Sequence, residues 1–248
     1  MKLILLGTAG YHPSERRHTS CAILPEVGLM LDAGTGMFRA PRYLATDVLD
    51  IFLTHVHLDH VIGLTYLFNT LSQTQLKTVR VHGQAEKLRA LEEHLFSEHL
   101  FPKRPPYEAV PLPDSGEVAL SGGGRLTSFP LDHPGGAVGF RLDWPGHSMA
   151  YITDTWGEPD AAYAPRIQGV DLLVHECFFR DEQAEWSRMT GHTHATPVAE
   201  LARHVQAKRL VLIHINPLAE GDDPIGLASA RSIFPAMQVG EDGLEVEF

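Results

Sequence analysis

The chain has 248 residues, 44% hydrophobic and 21% charged, which supplies one substantial core and excludes wholesale disorder. Lys and Arg number 20 against 31 Asp and Glu, a net charge of −11 that argues against a surface built to grip a long nucleic acid through its phosphates. The only two cysteines, Cys21 and Cys177, exclude a disulfide framework by count and read as buried reduced thiols.

In chain order, Lys2–Leu6 reads as a buried first strand ended by Gly7-Thr8-Ala9-Gly10, and Ser20–Leu24 and Leu29–Leu31 follow as strands. Asp32-Ala33-Gly34-Thr35-Gly36 is a loop in which glycine permits close backbone approach. Asp50–Leu53 is the next strand. After it Val61, Leu64, Phe68 and Leu71 fall at helical spacing, with Leu67 widening the stripe. Val79–His82 reads as a strand, and Leu88, Leu91 and Leu95 mark an amphipathic helix. Phe101–Pro106 is a stiff loop.

The chain then turns strand-rich: Glu117–Leu120, Arg125–Phe129, Val138–Leu142 and Ser148–Ile152, with Asp143–His147 as the hairpin turn between the last two. Asp171–Val174 is another buried strand. Thr196 is the expected cap of a helix with Pro197 at its first position and Val198, Leu201, Ala202 and Val205 on one face. Arg209–Ile213 forms a strand, followed by a helical segment near Pro224–Ile233 and a final strand at Leu244–Val246. Strands and helices fall in two successive groups, each mixing both. Two sheets packed face to face with helices outside fit that order better than a doubly wound sheet, and residues 1–248 read as a single domain.

The chemistry concentrates at Thr54-His55-Val56-His57-Leu58-Asp59-His60, directly after the apolar run Ile51-Phe52-Leu53. Alternate side chains of an extended segment share a face, so His55 and His57 can address one point. The following turn lets Asp59 and His60 address a second. Imidazole and carboxylate suit zinc, manganese and iron alike. Later apolar runs also stop at ligand-type residues: His133 after Phe129–Asp132, Asp154 after Met149–Thr153, and His214 after Leu210–Ile213.

With these residues in view, the chain resembles the metallo-β-lactamase superfamily, and within it the phosphodiesterase branch that contains ribonuclease Z. The likeness covers nearly the whole chain. It takes in Leu6–Gly10, Leu31–Gly36, His55-x-His57-x-Asp59-His60, His133, Thr153-Asp154-Thr155, Leu172–Glu176, His194-Ala195-Thr196 and Leu212–Pro217. The resemblance implies an α/β fold, the αββα sandwich of two mixed sheets. It implies that His55, His57 and His133 hold one divalent ion, that Asp59, His60 and His214 hold a second, and that Asp154 bridges them. Zinc is the expected metal, with manganese or iron as alternatives. Two ions about 3.5–4 Å apart would share a hydroxide nucleophile, which Asp59 would help to orient.

By the same resemblance, His194 stands where the branch carries a proton donor to the leaving oxygen, with His192 competing for the role and Glu176 behind His194 as an orienting carboxylate. Asp32 reads as tying down its own glycine loop, and His82, His94, His99, His147 and His204 as structural or solvated. Gly122-Gly123-Gly124 lacks the Lys-Ser/Thr of a phosphate cradle.

The expected activity is a dinuclear metal-dependent hydrolase of a small or cyclic phosphodiester or nucleotide. Three features weigh against tRNA 3′ processing: no long Gly/Pro-rich insertion to serve as a tRNA-gripping arm, Leu58 where a small residue is usual, and the acidic balance. The alternatives are that tRNA-processing endonuclease, a glyoxalase II-like thioester or lactone hydrolase, and a metal-binding protein without turnover. β-Lactam hydrolysis is disfavoured because no cysteine occupies a ligand position. The start Met1–Gly7 is too short an apolar run for a signal peptide, and no stretch reaches membrane-spanning length, so a cytoplasmic protein without a membrane partner is expected. Its oligomeric state is open, a homodimer included.

Overall fold

The computed structural model describes every residue except Asp114 and Glu220. Its N-terminal half holds β1 (Lys2–Gly7), β2 (Cys21–Leu24), β3 (Leu29–Leu31), β4 (Val48–Phe52), β5 (Thr78–Gln84) and β6 (Glu108–Leu112), with α1 (Leu58–Val61) and α2 (Leu67–Gln73) after β4 and α3 (Ala85–Ala90) after β5. The C-terminal half holds β7 (Gly116–Leu120), β8 (Gly124–Leu131), β9 (Ala137–Trp144), β10 (His147–Ile152), β11 (Leu172–Glu176), β12 (Arg209–Ile213) and β13 (Met237–Val239), together with α4 (Ala184–Thr190), α5 (Ala195–His204) and α6 (Leu227–Ile233). A last strand, β14 (Glu245–Glu247), returns to pair with β1.

The strands form two seven-stranded sheets, in the orders β14-β1-β2-β3-β4-β5-β6 and β13-β12-β11-β10-β9-β8-β7. Both are mixed, antiparallel along one half and parallel along the other. Alternation along the strands sets the layers, because successive side chains leave a strand on opposite faces. Leu3 and Leu5 of β1 point into the core between the sheets, with Val174 of β11 and Val211 of β12 from the facing sheet. Ile4 and Leu6 point the other way, under the short helical segment Thr35–Arg42, and Leu210 and Leu212 point out under α5 and α6. Each of these leucines is buried on folding, which contributes about 1.5–3 kcal/mol apiece. The result is the expected αββα sandwich.

Several elements depart from expectation for local reasons. The stripe from Val61 to Leu71 is not one helix but α1, a tighter turn at Ile62–Tyr66, and α2. Gly63 explains the break: its N–H donates to Ala33 O at 2.8 Å instead of to a helical carbonyl, and a Cβ there would lie 2.3 Å from Gly34 O. Strand β6 escaped notice because Pro111 lies within it, which an edge strand tolerates. Strand β13 has only three residues, and α4 carries no apolar stripe. No helix among the described residues is long and apolar enough to cross a membrane.

The parallel halves matter for function. Strands β10, β11 and β12 run the same way, and β8, two antiparallel steps from β10, runs with them, so all four end at one edge. Strands β3 and β4 end at the matching edge of the other sheet. The edges are joined there: Val138 N donates to Thr54 O at 3.0 Å, and Thr153 Oγ1 to Thr54 Oγ1 at 3.2 Å.

Candidate metal centre

Four strand ends and one loop meet at that joint. The loop after β4 is extended through His57 (φ −62°, ψ 149°) and then enters α1, which carries Asp59 and His60. One donor atom from each of His55, His57, His133 and Asp154 lies within 4.8 Å of the others, and Asp59, His60 and His214 form a second such group. Asp154 sits between them. Its Oδ2 is 3.6 Å from His55 Nε2 and 3.7 Å from His133 Nε2; its Oδ1 is 3.2 Å from His60 Nε2 and 3.3 Å from His214 Nε2. All seven residues singled out as ligands converge, with one carboxylate oxygen facing each group.

The donor set fits a pair of cations. His55 Nε2 and Asp154 Oδ1 are buried without a hydrogen-bond partner, although polar neighbours surround them. Buried polar atoms left in that state are costly unless a cation accepts them. Burial and the charge of His60 hold His55 well below its ordinary value, which leaves a neutral imidazole able to coordinate. Burial opposes a charged His60, yet Asp154, Asp32 and Asp59 outweigh it and raise that group well above its ordinary value. Three carboxylates around one imidazole therefore call for positive charge at this point.

These side chains are oriented from behind. Asp32 is fully buried and accepts from His60 Nδ1 at 2.9 Å, from Thr54 N at 2.8 Å and from Thr54 Oγ1 at 2.9 Å. Thr54 Oγ1 also lies 3.1 Å from His55 Nδ1. Tyr11 N donates to Asp59 Oδ2 at 2.8 Å. Gly10 lies so close to His214 that a Cβ would be 2.3 Å from its ring.

The geometry now stands beside known proteins. Residues 29–215 match the family model described as the beta-lactamase superfamily domain. The chain belongs to the metallo-β-lactamase superfamily. Among curated relatives, a ribonuclease Z of Gemmatimonas aurantiaca is 27% identical, with 98% of this chain and 94% of that protein covered. Among solved structures, the metallo-β-lactamase fold protein YhfI of Bacillus subtilis superposes with a TM-score of 0.82 at 19% identity, covering 99% of each chain. A diphosphatase of the PhnP family superposes at 0.75 and 20% identity, covering 100% of this chain and 96% of that one. Within the superfamily the chain lies on the ribonuclease Z-like branch and is a metal-dependent hydrolase.

For this metallo-β-lactamase chain, the structure departs from the sequence expectation for His194, which it does not bring to the centre. His194 stands at the start of α5, its Nδ1 2.7 Å from Asp181 Oδ1, with Trp156 edge-on at 5.6 Å. Asp181 also accepts from Thr196 N and Oγ1, so it, and not the Thr196 side chain, caps α5. His194 is held away by that carboxylate.

His192 takes the place instead. One of its ring nitrogens falls within 4.8 Å of donor atoms of Asp154 and His214, and its ring stacks at 5.1 Å on that of His214. Glu176, fully buried, is 3.0 Å from His192 Nδ1 and accepts from Thr155 N at 2.6 Å and Thr193 N at 3.2 Å, so it lies behind His192 and not behind His194. Burial works against a charged His192, but Glu176 outweighs it and raises the group to about 9.

Three strand-end residues here have left-handed backbone: Asp32 (φ +56°), Asp154 (φ +47°) and His214 (φ +55°). Non-glycine residues visit this region rarely, Asp and His more readily than most. The chain therefore turns sharply just as it leaves β3, β10 and β12. Sequence reasoning missed this, and also missed Thr54, whose signal was its place between a buried strand and the first histidine. Of the histidines read as structural, His82 stacks on Phe52 at 4.2 Å and lies 2.7 Å from Asp50 Oδ1, while His147 lies 2.7 Å from Phe248 O.

Proposed function

We propose that the protein is a dinuclear metal-dependent phosphodiesterase whose substrate is a small or cyclic phosphodiester or a nucleotide. The observation that carries this reading is Asp154, whose two carboxylate oxygens face two separate groups of ligand-type residues. His55, His57 and His133 would hold one ion, Asp59, His60 and His214 the other, and five imidazoles with two carboxylates suit zinc, with manganese or iron as alternatives. When bound, such a pair supplies Lewis acidity toward a phosphoryl oxygen and an activated water.

The chain's own residues do the rest. Asp59 and Asp154 offset only part of the charge of two divalent ions, so the centre stays cationic and selects an anionic substrate. His192 is the proton donor: Glu176 holds its Nδ1, which turns Nε2 toward the cavity where a leaving oxygen departs. Phe178 packs on His192 at 5.2 Å, fixes the ring and excludes water from one side. The cavity that Tyr11, Phe178, Phe179 and Thr190 close around the centre is about 230 Å³, which favours a compact reacting group.

Purified protein carrying two ions per chain, by metal analysis, is assayed on bis-p-nitrophenyl phosphate, a 2′,3′-cyclic nucleotide, a thioester and a lactone. Turnover of the phosphodiesters above the other two is expected. Absence of phosphodiester turnover in protein shown to hold two ions would overturn the reading.

One observation favours a second reading, RNA cleavage: the near full-length likeness to proteins named ribonuclease Z. Against it, the alignment runs about fifty positions longer than this chain, and the net charge is −11. Efficient cleavage of precursor tRNA would replace the small-substrate reading.

A further inference from the structure

The metal-facing cavity of about 230 Å³ is smaller than the pockets of about 300–1,000 Å³ that hold drug-sized ligands. A second cavity, about 780 Å³, lies on the far side of its wall. That wall is one chain thick: Thr190 and His192 line the metal-facing side, Met189 and Gly191 the other. At Gly191 the wall packs close to the loop after β8, since a Cβ there would lie 3.1 Å from Pro134 Cδ, and His133 of the centre itself borders the second cavity. Pro134 and Thr190 on its crest are exposed, so a ligand bound at the centre can pass over it.

The second cavity is chemically distinct. The guanidinium of Arg188 lies 5.3 Å over the ring of Trp156, and Asp132, Glu158 and Asp160 also line the space. Among the described residues, the side chains of Arg188, Asp132, Glu158 and Asp160 make no hydrogen bond or ion pair with one another or with anything else. Charges of both signs thus face one cavity with solvent, and for Arg188 the Trp156 ring, as their partners. The arrangement offers a flat cationic and aromatic stack beside several hydrogen-bond acceptors. A nucleoside supplies both complements: a base to stack, with sugar hydroxyls and exocyclic amino groups to donate. Three carboxylates against one guanidinium also disfavour an extended polyanion there.

We propose that this cavity binds the nucleoside part of the substrate against Trp156 and Arg188 while the phosphodiester sits at the metal centre across the Gly191 ridge. The inference rests on the phosphodiesterase reading and names its substrate class.

Two measurements on the metal-loaded full chain test it. In the first, adenosine, which has no phosphate, is titrated by calorimetry; binding with Kd of about 0.1–1 mM is expected. Trp156→Leu and the exposed Arg188→Ala should each weaken it, by about five- to a hundredfold for Trp156→Leu, the size of one base–aromatic stack. In the second, kcat/KM is compared for thymidine 5′-p-nitrophenyl phosphate and methyl p-nitrophenyl phosphate. The wild type should prefer the thymidine ester, and the ratio should fall at least fivefold in both variants. No adenosine binding by the wild type, or a proportional loss on both esters that leaves the ratio unchanged, overturns the proposal. Adenosine binding that Trp156→Leu abolishes, in a protein that cleaves neither ester, supports the nucleoside site and sinks the phosphodiesterase reading alone.

Discussion

Two regions of the molecule build the centre in opposite ways. The N-terminal sheet delivers His55, His57, Asp59 and His60 from one loop and the first turn of α1. The C-terminal sheet delivers His133, Asp154 and His214 from the ends of three different strands. In the first region a few backbone dihedrals place four donors. In the second, donors far apart in the chain converge only when β8, β10 and β12 are in register. The local region is therefore expected to keep its geometry under perturbations that scatter the distributed one.

Asp154 is where the comparison breaks most completely, because it alone serves both groups. Asp154→Asn should cost both ions and lower turnover by roughly a thousandfold, read by metal analysis and initial rates. His214→Ala should leave about one ion per chain, held by the group around His55. A variant with Asp154→Asn that kept two ions and near-normal rates would remove the basis for a bridging carboxylate.

The next effect separates the two histidines near α5. His192→Ala should lower kcat about a hundredfold on an alkyl phosphodiester and less on a p-nitrophenyl ester, whose leaving group needs no proton. His194→Ala should alter rates little and lower stability by about 1 kcal/mol, through loss of its hydrogen bond to Asp181, measured by urea unfolding. Equal kinetic losses in the two variants would restore His194 to the chemistry.

Asp32→Asn sharpens the comparison within the local region. It should weaken binding at the His60 side by about 10–100-fold while sparing the His55 side, as seen by competition with a chelator. Gly10→Ala should do the same from the other flank by pushing His214 aside.

The smallest expected effect lies on β4, just ahead of the histidine loop. Burial pushes the Asp50 carboxyl up, but hydrogen bonds from His82 and Arg80 outweigh it and hold it below its ordinary value of 3.8. A depressed carboxyl contributes stability above its unfolded value and loses it as pH falls through the folded one. Asp50→Asn should therefore be less stable than the wild type by about 1 kcal/mol at pH 7, a gap that closes only below pH 3.8. A gap independent of pH would assign the effect to packing.

The same contrast explains what could be read from the chain. Four donors in six residues after an apolar strand are visible as spacing, and so was their division between two points. His133, Asp154 and His214 were visible only as apolar runs that stop at a ligand-type residue. Their convergence depends on sheet order, which no local pattern encodes. The choice between His192 and His194 failed for a further reason. The two are separated by one residue, and the partner that decides between them, Asp181, lies more than ten positions away. The cavity at Trp156 and Arg188 joins the loop after β10 to α4, an element without the stripe that marks a helix.

The left-handed backbone at Asp32, Asp154 and His214 bears on any effort to make this protein withstand heat. Each such residue carries backbone strain on the order of 1–3 kcal/mol that a glycine would not. A selection for thermal tolerance blind to turnover would thus be drawn to the very positions that the proposed chemistry needs. Durable variants should be sought at the rims of the sheets, with those three sites left as they are.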